Sequence, residues 1–229
     1  MKLTFLGHSA FVLESSDGRI IVDPFLSGNP LCPVPIDRIG KLDTILVTHG
    51  HGDHLGDTVA LARRDGAAVV CVPEIGYWLA GQGVSRRVEM NLGGTARFPW
   101  GSAKMTPALH SSSIATPSGL VDGGVCCGFL IRMGGATVYH AGDTCLTSDF
   151  ALLANQSVDV ALLPVGGHYT MDEWDAAQAM SMIRPTCVVP MHYDTFPAIG
   201  ADMKRLESLV PPSVQFCPLK SGESLELSA

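Results

Sequence analysis

The sequence predicts an α/β protein in which two mixed β-sheets pack face to face and helices cover their outer faces. Three observations support this fold class. Strand-like segments occur in both halves of the 229-residue chain, helical segments are interspersed among them, and no linker, repeat or low-complexity tract separates the halves. We therefore expect one domain that spans residues 1–229.

The first part of the chain is predicted to be rich in strands. Alternating or apolar runs indicate strands at residues 2–6, 10–14, 19–22, 44–47 and 67–72. Residues 56–64 have helical character, and Pro73 opens a short helix that runs through Leu79. The helix at 56–64 stands between two strands, which indicates a strand-helix-strand unit.

The remainder of the chain returns to strands and then alternates with helices. Strands are expected at residues 86–90, 96–98, 103–109, 128–132, 137–140, 158–163 and 187–190. Helical spacing is found at residues 148–154, 171–183 and 201–209. Strands in both halves with helices between them are what two packed sheets require.

Composition excludes several classes of partner. The chain has 22 acidic and 15 basic residues and a formal charge of -7, which argues against broad attraction to nucleic-acid phosphate or to anionic lipid. No stretch approaches the roughly 18 to 20 apolar residues that a membrane helix needs. No export signal is visible, and seven scattered cysteines without metal-type spacing suit reduced thiols. We expect a cytoplasmic protein.

Four potential metal ligands lie within six residues in the run THGHGDH, directly after the predicted strand at 44–47. Alternate side chains of an extended segment point the same way, so His49 and His51 can hold one ion. Asp53 and His54, where the chain enters the next helix, then face a second ion nearby. A loop of solvated histidines is the alternative interpretation, but four ligands so crowded would repel one another when protonated.

A two-metal site needs further ligands from distant parts of the chain. Three candidates each directly follow a predicted strand: His110, Asp143 and His192. A glycine immediately before Asp143 permits close approach of the backbone. These residues stand at the same kind of position as the first cluster, at the end of a strand.

Taken in order, these seven residues resemble the metal motif of the metallo-β-lactamase superfamily, His-x-His-x-Asp-His followed by a distant His, an Asp and a final His. Within that superfamily the runs LGHSAF, THGHGDHLGD, HSSS, YHAGDT and PMHYDTFP are similar to the small metal-dependent hydrolases of the UPF0173 type, which are related to the ascorbate-lactone hydrolases. The similarity covers nearly the whole chain. It implies a four-layer αββα sandwich with the site at one edge between the sheets.

The resemblance also implies how two divalent ions would be held. The first ion is assigned to His49, His51 and His110, the second to Asp53, His54 and His192, and Asp143 bridges them. Imidazole and carboxylate ligands suit zinc, manganese, iron and nickel alike, so zinc is only the default. The implied mechanism is hydrolysis by a metal-bridging hydroxide, because coordination lowers the pKa of water from about 15.7 to roughly 7. Asp53 is expected to orient that hydroxide.

Other polar residues have weaker claims. His8 follows the first predicted strand and either reaches the rim of the pocket or is structural. Asp23 ends a strand, where it either accepts a hydrogen bond from a ligand histidine or caps a turn. His168 lies in a loop that we expect to contact substrate. His140 is expected to point away from the metals, and Cys145 to be a neighbour of the site and not a ligand.

The substrate is the least determined part of the prediction. The chain has no room for an inserted nucleic-acid-clamping domain, so we expect a small-molecule substrate, with lactone or other ester hydrolysis as the first interpretation. Phosphodiester hydrolysis is the enzymatic alternative, since two metal ions serve both reactions. The alternative from another class is a non-hydrolytic protein that uses the metals for redox chemistry or only binds a ligand. Self-association into a homo-oligomer is compatible with the sequence.

Overall fold

The structure is a computed structural model that describes residues 1–227, and most of its strands belong to two large β-sheets. In chain order the strands of this part of the chain are β1 (Lys2–Phe5), β2 (Phe11–Ser15), β3 (Gly18–Val22), β4 (Thr44–Leu46), β5 (Ala68–Cys71), β6 (Arg87–Glu89), β7 (Thr95–Phe98), β8 (Gly101–Pro107), β9 (Ser113–Thr116), β10 (Gly119–Asp122), β11 (Cys127–Met133), β12 (Ala136–His140), β13 (Val160–Pro164), β14 (Cys187–Met191), β15 (Gln215–Phe216) and β16 (Ser224–Glu226).

Each large sheet has seven strands and joins an antiparallel half to a parallel half. The first sheet has the order β16-β1-β2-β3-β4-β5-β6, antiparallel as far as β3 and parallel from β3 to β6. The second has the order β15-β14-β13-β12-β11-β8-β7, parallel as far as β12 and antiparallel beyond it. Strands β9 and β10 pair separately as a hairpin.

Helices cover the outer faces of both sheets. The helices of the described residues are α1 (Gly52–Leu55), α2 (Thr58–Asp65), α3 (Pro73–Gly81), α4 (Glu173–Ile183) and α5 (Met203–Leu209), with short 3-10 turns at Ile36–Arg38, Ser148–Leu153 and Pro197–Ile199. Helices α2 and α3 contact β5 of the first sheet, whereas α4 contacts β13 of the second and α5 packs beside α4. The two sheets and two helical layers form the predicted αββα sandwich. None of the helices within residues 1–227 is long and apolar enough to cross a membrane.

Alternation along the strands separates the core into two apolar clusters. In β11 the side chains of Phe129 and Ile131 face the first sheet, while Leu130 between them faces the helices of the second layer. Strand β13 does the same with Leu162 on the inner face and Ala161 on the outer face. Because strand side chains alternate with period two, one apolar run fills both the interior of the sandwich and the helix interface.

The predicted fold class is confirmed, and the differences are local. The helix expected at 56–64 corresponds to α2, which begins two residues later at Thr58, and the short helix α1 that precedes it was not predicted. The two helices are separate because the chain turns sharply at Gly56. Gly56 has φ +40°, and a Cβ there would lie 2.4 Å from the carbonyl oxygen of Pro24. The segment 148–154 is a 3-10 turn, and strands β9, β10, β15 and β16 were not predicted. Those four strands are short and largely exposed, so they carry little apolar alternation.

Candidate metal centre

One edge of the sandwich collects the ends of strands from both sheets. In the first sheet the β1–β2 connection carries His8, Asp23 directly follows β3, and the His49–His54 segment follows β4. In the second sheet β8, β12 and β14 end at this edge and lead to His110, Asp143 and His192. All seven candidate ligands are therefore brought together, although up to 143 positions separate them in sequence.

The carboxylate of Asp143 lies at the centre of this cluster and is almost fully buried. Four imidazoles direct Nε2 toward it: those of His192 at 3.0 Å, His54 at 3.3 Å, His110 at 3.6 Å and His49 at 4.0 Å. The nearest approaches of His192, His110 and His49 are to Oδ2, whereas that of His54 is to Oδ1. Both oxygens of one carboxylate are thus shared among histidines from both sheets.

The candidate ligand atoms fall into overlapping groups whose members lie within 4.8 Å of one another. The groups are His49, His51 and His110; His8, Asp53, His54 and His192; and His49, His54 and Asp143. The first two groups correspond to the two ion sites that the sequence implies, with His8 as an addition. The third group joins them through Asp143.

Two observations test whether these residues fit metal ions. Within residues 1–227, Nε2 of His54 and Oδ1 of Asp143 are buried and lack a hydrogen-bond partner. Buried polar atoms are rarely left unpaired, and ligation would satisfy atoms of this kind. Three arginines in the same part of the chain pair with Glu14, Asp65 and Glu89, and no lysine or arginine there forms an ion pair with the carboxylates of this edge. Cations are therefore the partners that this donor set fits.

The histidines of the first ligand group can bind an ion without first losing a proton. Burial lowers the pKa of His49, His51 and His110, which keeps these imidazoles neutral. For Asp143 burial alone would raise the pKa, but His54 and His192 lower it well below its ordinary value. Burial alone would also raise the pKa of Asp53, but the hydrogen bond to His8 and the nearby charges of His54 and His8 together lower it.

His54 behaves in the opposite way. Burial alone would lower its pKa, but the carboxylates of Asp143 and Asp23 raise it well above the ordinary value. In the metal-free protein this imidazole therefore carries a positive charge between two carboxylates. An ion that binds at Nε2 of His54 must replace that proton.

Asp23 holds His54 and the start of the histidine loop in place. It is fully buried, and its Oδ1 accepts the backbone N–H of Thr48 at 2.8 Å. Its Oδ2 accepts the hydroxyl of Thr48 at 2.7 Å and Nδ1–H of His54 at 2.7 Å. The hydrogen bond to His54 leaves Nε2 of that ring facing Asp143, which fixes the orientation of the ring.

His140 and Gly142 position Asp143 from the other side. His140 points away from the centre: its Nε2 donates to the carbonyl of Ser9 at 3.0 Å, and its Nδ1 accepts the backbone N–H of Gly142 at 3.1 Å. Gly142 has φ +64°, and a Cβ there would lie 2.5 Å from the carbonyl oxygen of Cys127. Only glycine allows the chain to approach β11 so closely just before Asp143.

The remaining predicted residues lie outside the clusters. His168 is exposed and packs edge-on against Tyr169 at 4.5 Å between ring centroids, and no candidate metal group within residues 1–227 includes it. Cys145 is exposed and is likewise absent from those groups. Sequence reasoning missed Thr195, which is buried and contacts Nδ1 of His8 at 2.9 Å. Its one signal is its position three residues after His192.

A four-layer αββα sandwich with a histidine and aspartate cluster at its edge defines a metal-dependent hydrolase of the metallo-β-lactamase type. In agreement, residues 18–193 match the family model described as the beta-lactamase superfamily domain. A UPF0173 metal-dependent hydrolase of Desulforamulus reducens is 44% identical over 99% of this chain and 100% of its own. A second, from Pyrococcus furiosus, has the same identity and coverage.

A solved structure agrees with these sequence relatives. Igni18, a metallo hydrolase of the archaeon Ignicoccus hospitalis, superposes with a TM-score of 0.86 at 36% identity over 99% of both chains. The chain belongs to the UPF0173 metal-dependent hydrolases of the metallo-β-lactamase superfamily.

Proposed function

We propose that this chain is a dinuclear metal-dependent hydrolase that acts on a small ester or lactone. The observation that carries the proposal is the position of Asp143, whose two carboxylate oxygens face histidines of both ligand groups. A carboxylate so placed suits the bridging of two cations. Zinc is the default ion, since imidazole and carboxylate ligands suit several divalent metals.

The proposed ligand sets follow the two groups of side chains. His49, His51 and His110 would hold one ion, Asp53, His54 and His192 the other, and Asp143 both. Bound divalent ions supply Lewis-acid activation of a carbonyl oxygen and lower the pKa of water to near neutrality. The donor atoms of this chain provide a site in which that chemistry is available without a side-chain nucleophile.

Asp53 is the carboxylate of the cluster that reaches solvent. Its side chain is 29% exposed, whereas that of Asp143 is 3% exposed. The Asp53 carboxylate is held ionised, and it is therefore placed to accept a hydrogen bond from an attacking water and to orient it toward a bound carbonyl. The buried Asp143 instead keeps the imidazoles turned inward.

The surroundings of the site favour a substrate with an apolar part. Phe25 and Phe196 flank His8, each with its ring centroid 5.7 Å from that of His8, and Phe196 is 40% exposed. Aromatic side chains of this kind contact acyl or ring carbons, while the carbonyl to be cleaved meets the polar cluster.

The reaction type is tested by metal analysis combined with a substrate screen. Protein purified without added metal is assayed for metal content and then for hydrolysis of lactones, carboxylic esters and phosphodiesters. We expect about two equivalents of metal and activity on lactones or esters that disappears in His51→Ala. Activity on phosphodiesters alone would replace the substrate class. A coloured protein with two iron atoms and no hydrolysis of any substrate would favour redox chemistry.

The bridging role of Asp143 has a separate test. Asp143→Ala is expected to lower the occupancy of both ions, because the carboxylate faces both groups. Asp37→Ala, which removes an exposed carboxylate that belongs to none of the candidate metal groups, is the matched control and should keep both ions. Undiminished occupancy of both ions in Asp143→Ala would contradict the bridging role.

The seven cysteines are all free thiols, and four of them are buried. Free thiols persist where the compartment is reducing. This observation supports the proposal that the protein works in the cytoplasm.

A further inference from the structure

His8 is a buried histidine that links the two sheets at the metal centre. Its side chain is fully buried, with Nε2 3.1 Å from Oδ2 of Asp53 and Nδ1 2.9 Å from Oγ1 of Thr195. Asp53 lies in α1, which follows β4 of the first sheet, whereas Thr195 follows β14 of the second sheet. One imidazole ring thus spans the seam between the two halves of the site.

The backbone of His8 reinforces this link. The carbonyl oxygen of His8 accepts the backbone N–H of His192 at 2.8 Å, and the two imidazole rings lie 4.1 Å apart between centroids. His8 and His192 both adopt left-handed backbone conformations, with φ of 60° and 56°. Non-glycine residues adopt that region only where the surrounding structure holds them, and such residues cluster at functional sites.

The chemistry of the two neighbours assigns the proton on His8. The ionised carboxylate of Asp53 only accepts hydrogen bonds, so Nε2 of His8 must carry a hydrogen and donate it. Nδ1 of the neutral ring then accepts, and the hydroxyl of Thr195 donates to it at 2.9 Å, since its other acceptor, the carbonyl of Tyr193, is farther away at 3.4 Å. The chain Thr195 to His8 to Asp53 is therefore directional, and it fixes one oxygen of Asp53.

We infer that His8 is a positioning residue that, supported by Thr195, holds the carboxylate of Asp53 in place for the second metal ion. The inference rests on the proposed dinuclear function. A ligand carboxylate whose second oxygen is hydrogen-bonded loses less freedom on binding a metal, and such partners typically contribute about 10- to 100-fold in metal affinity. His8 also lies within the same group of donor atoms, so direct ligation is the competing role that the test must separate.

Two substitutions separate the two ring nitrogens. The amide of glutamine reaches about as far as Nε2 of histidine and keeps a donor for Asp53, whereas asparagine reaches only as far as Nδ1 and loses that contact. Asparagine accepts left-handed backbone well, so His8→Asn suits φ +60° and its effect is not a consequence of backbone strain. Thr195→Val removes the supporting hydroxyl, and Thr195→Ser keeps it.

The test is a titration of the metal-free full-length chain with Co²⁺ alone, followed by visible absorption and by equilibrium dialysis. We expect wild type to bind two equivalents and His8→Asn to bind the second about 10- to 100-fold more weakly, with the affinity and spectrum of the first unchanged. His8→Gln should recover most of the loss. Thr195→Val should weaken the second equivalent, and Thr195→Ser should bind it as wild type does. His168→Asn, the same change at an exposed histidine outside the cluster, is the control.

Each outcome decides a different point. Two equivalents in wild type with an unweakened second equivalent in His8→Asn would overturn the inference and leave the proposed function standing. Equal losses in His8→Asn and His8→Gln would overturn positioning in favour of direct ligation. A single equivalent in wild type would overturn the dinuclear proposal and this inference together.

Discussion

Replacement of Asp23 by asparagine is expected to weaken metal binding, because it changes which nitrogen of His54 carries the hydrogen of the neutral ring. Asp23 has two roles at one side chain: Oδ1 accepts the backbone N–H of Thr48, and Oδ2 accepts Nδ1–H of His54. A backbone N–H can only donate, so the amide oxygen of the new side chain must take the place of Oδ1. The amide NH₂ then faces Nδ1 of His54, which must become an acceptor. When the ring gives up the extra proton that it carries in the metal-free protein, the hydrogen that remains is therefore on Nε2, whereas in wild type it is on Nδ1.

The magnitude follows from the bond that is lost. Nε2 of His54 faces the centre of the cluster, 3.3 Å from Oδ1 of Asp143, and it must be free of hydrogen to bind an ion. Before it can bind an ion, His54 of the variant must return the hydrogen to Nδ1. Its Nδ1–H and the amide NH₂ of the new side chain are then two donors that face each other. That sacrifices a hydrogen bond to a charged group, worth about 1.5–3 kcal/mol. At about 1.4 kcal/mol per tenfold change, affinity falls by roughly 10- to 150-fold.

The assay is competition for Zn²⁺ between the metal-free protein and a chromophoric chelator, which reads each equivalent separately. Asp23→Asn should lose affinity for the ion that His54 would hold and keep the other equivalent. Asp159→Asn is the matched control, because Asp159 also accepts a backbone N–H, that of Thr137, away from the cluster. Wild-type affinity for both equivalents in Asp23→Asn would refute the reasoning.

Three further predictions follow from burial and backbone geometry. Burial lowers the pKa of five histidines, that of His8 to about 4. Below about pH 6.5 the unfolded chain therefore binds more protons at these residues than the folded chain does. The metal-free protein should accordingly lose stability from pH 7 to pH 5. His54 has the opposite effect, since its raised pKa gives stability that is present below about pH 6.5 and lost as pH rises through the folded value. A urea midpoint that rises on acidification would contradict the expected net loss of stability. Cys145 is exposed, whereas four cysteines are buried with raised pKa and Cys32 and Cys217 are half-buried. Cys145 should therefore react first with a disulfide reagent, and Cys145→Ser should abolish the fast phase. Gly142→Ala should lower the free energy of unfolding by more than the about 1–3 kcal/mol of a left-handed alanine, whereas Gly81→Ala, with open space around it, should change it little in thermal melts.

Much of the fold was predictable because the long strands are apolar on both faces. Strands β11 to β14 are buried almost throughout, and such runs read clearly from the sequence. The hairpin β9–β10 has an exposed second strand, and its formation depends on pairing and not on burial. The split between α1 and α2 depends on contact of Gly56 with Pro24, which lies 32 residues away in sequence. Helical periodicity cannot report such a contact.

Some residues of the candidate site could be chosen from the sequence pattern, whereas others are recognised only from contacts in the folded chain. The seven candidate ligands stand at strand ends and are histidine or aspartate, so they could be selected before the structure, and their role as ligands stays a prediction. Asp23 was selected only as one of two alternatives. Thr195 was not selected at all, because a threonine in a loop is common and its contact with His8 joins residues 187 positions apart.

The residues that orient the cluster depend in turn on hydroxyl and carbonyl groups that lie outside it. Asp23, His8 and His140 each use one ring nitrogen or carboxylate oxygen on a partner outside the candidate ligand set: Thr48, Thr195 and Ser9. Hydroxyl and carbonyl groups of this kind occur throughout any sequence, so spacing gives no reason to choose one. Their effect is nevertheless measurable at the metal, because each fixes which nitrogen of a histidine is free or which oxygen of an aspartate is held. Metal affinity in Asp23 and His8 variants therefore tests a part of the site that sequence motifs leave out.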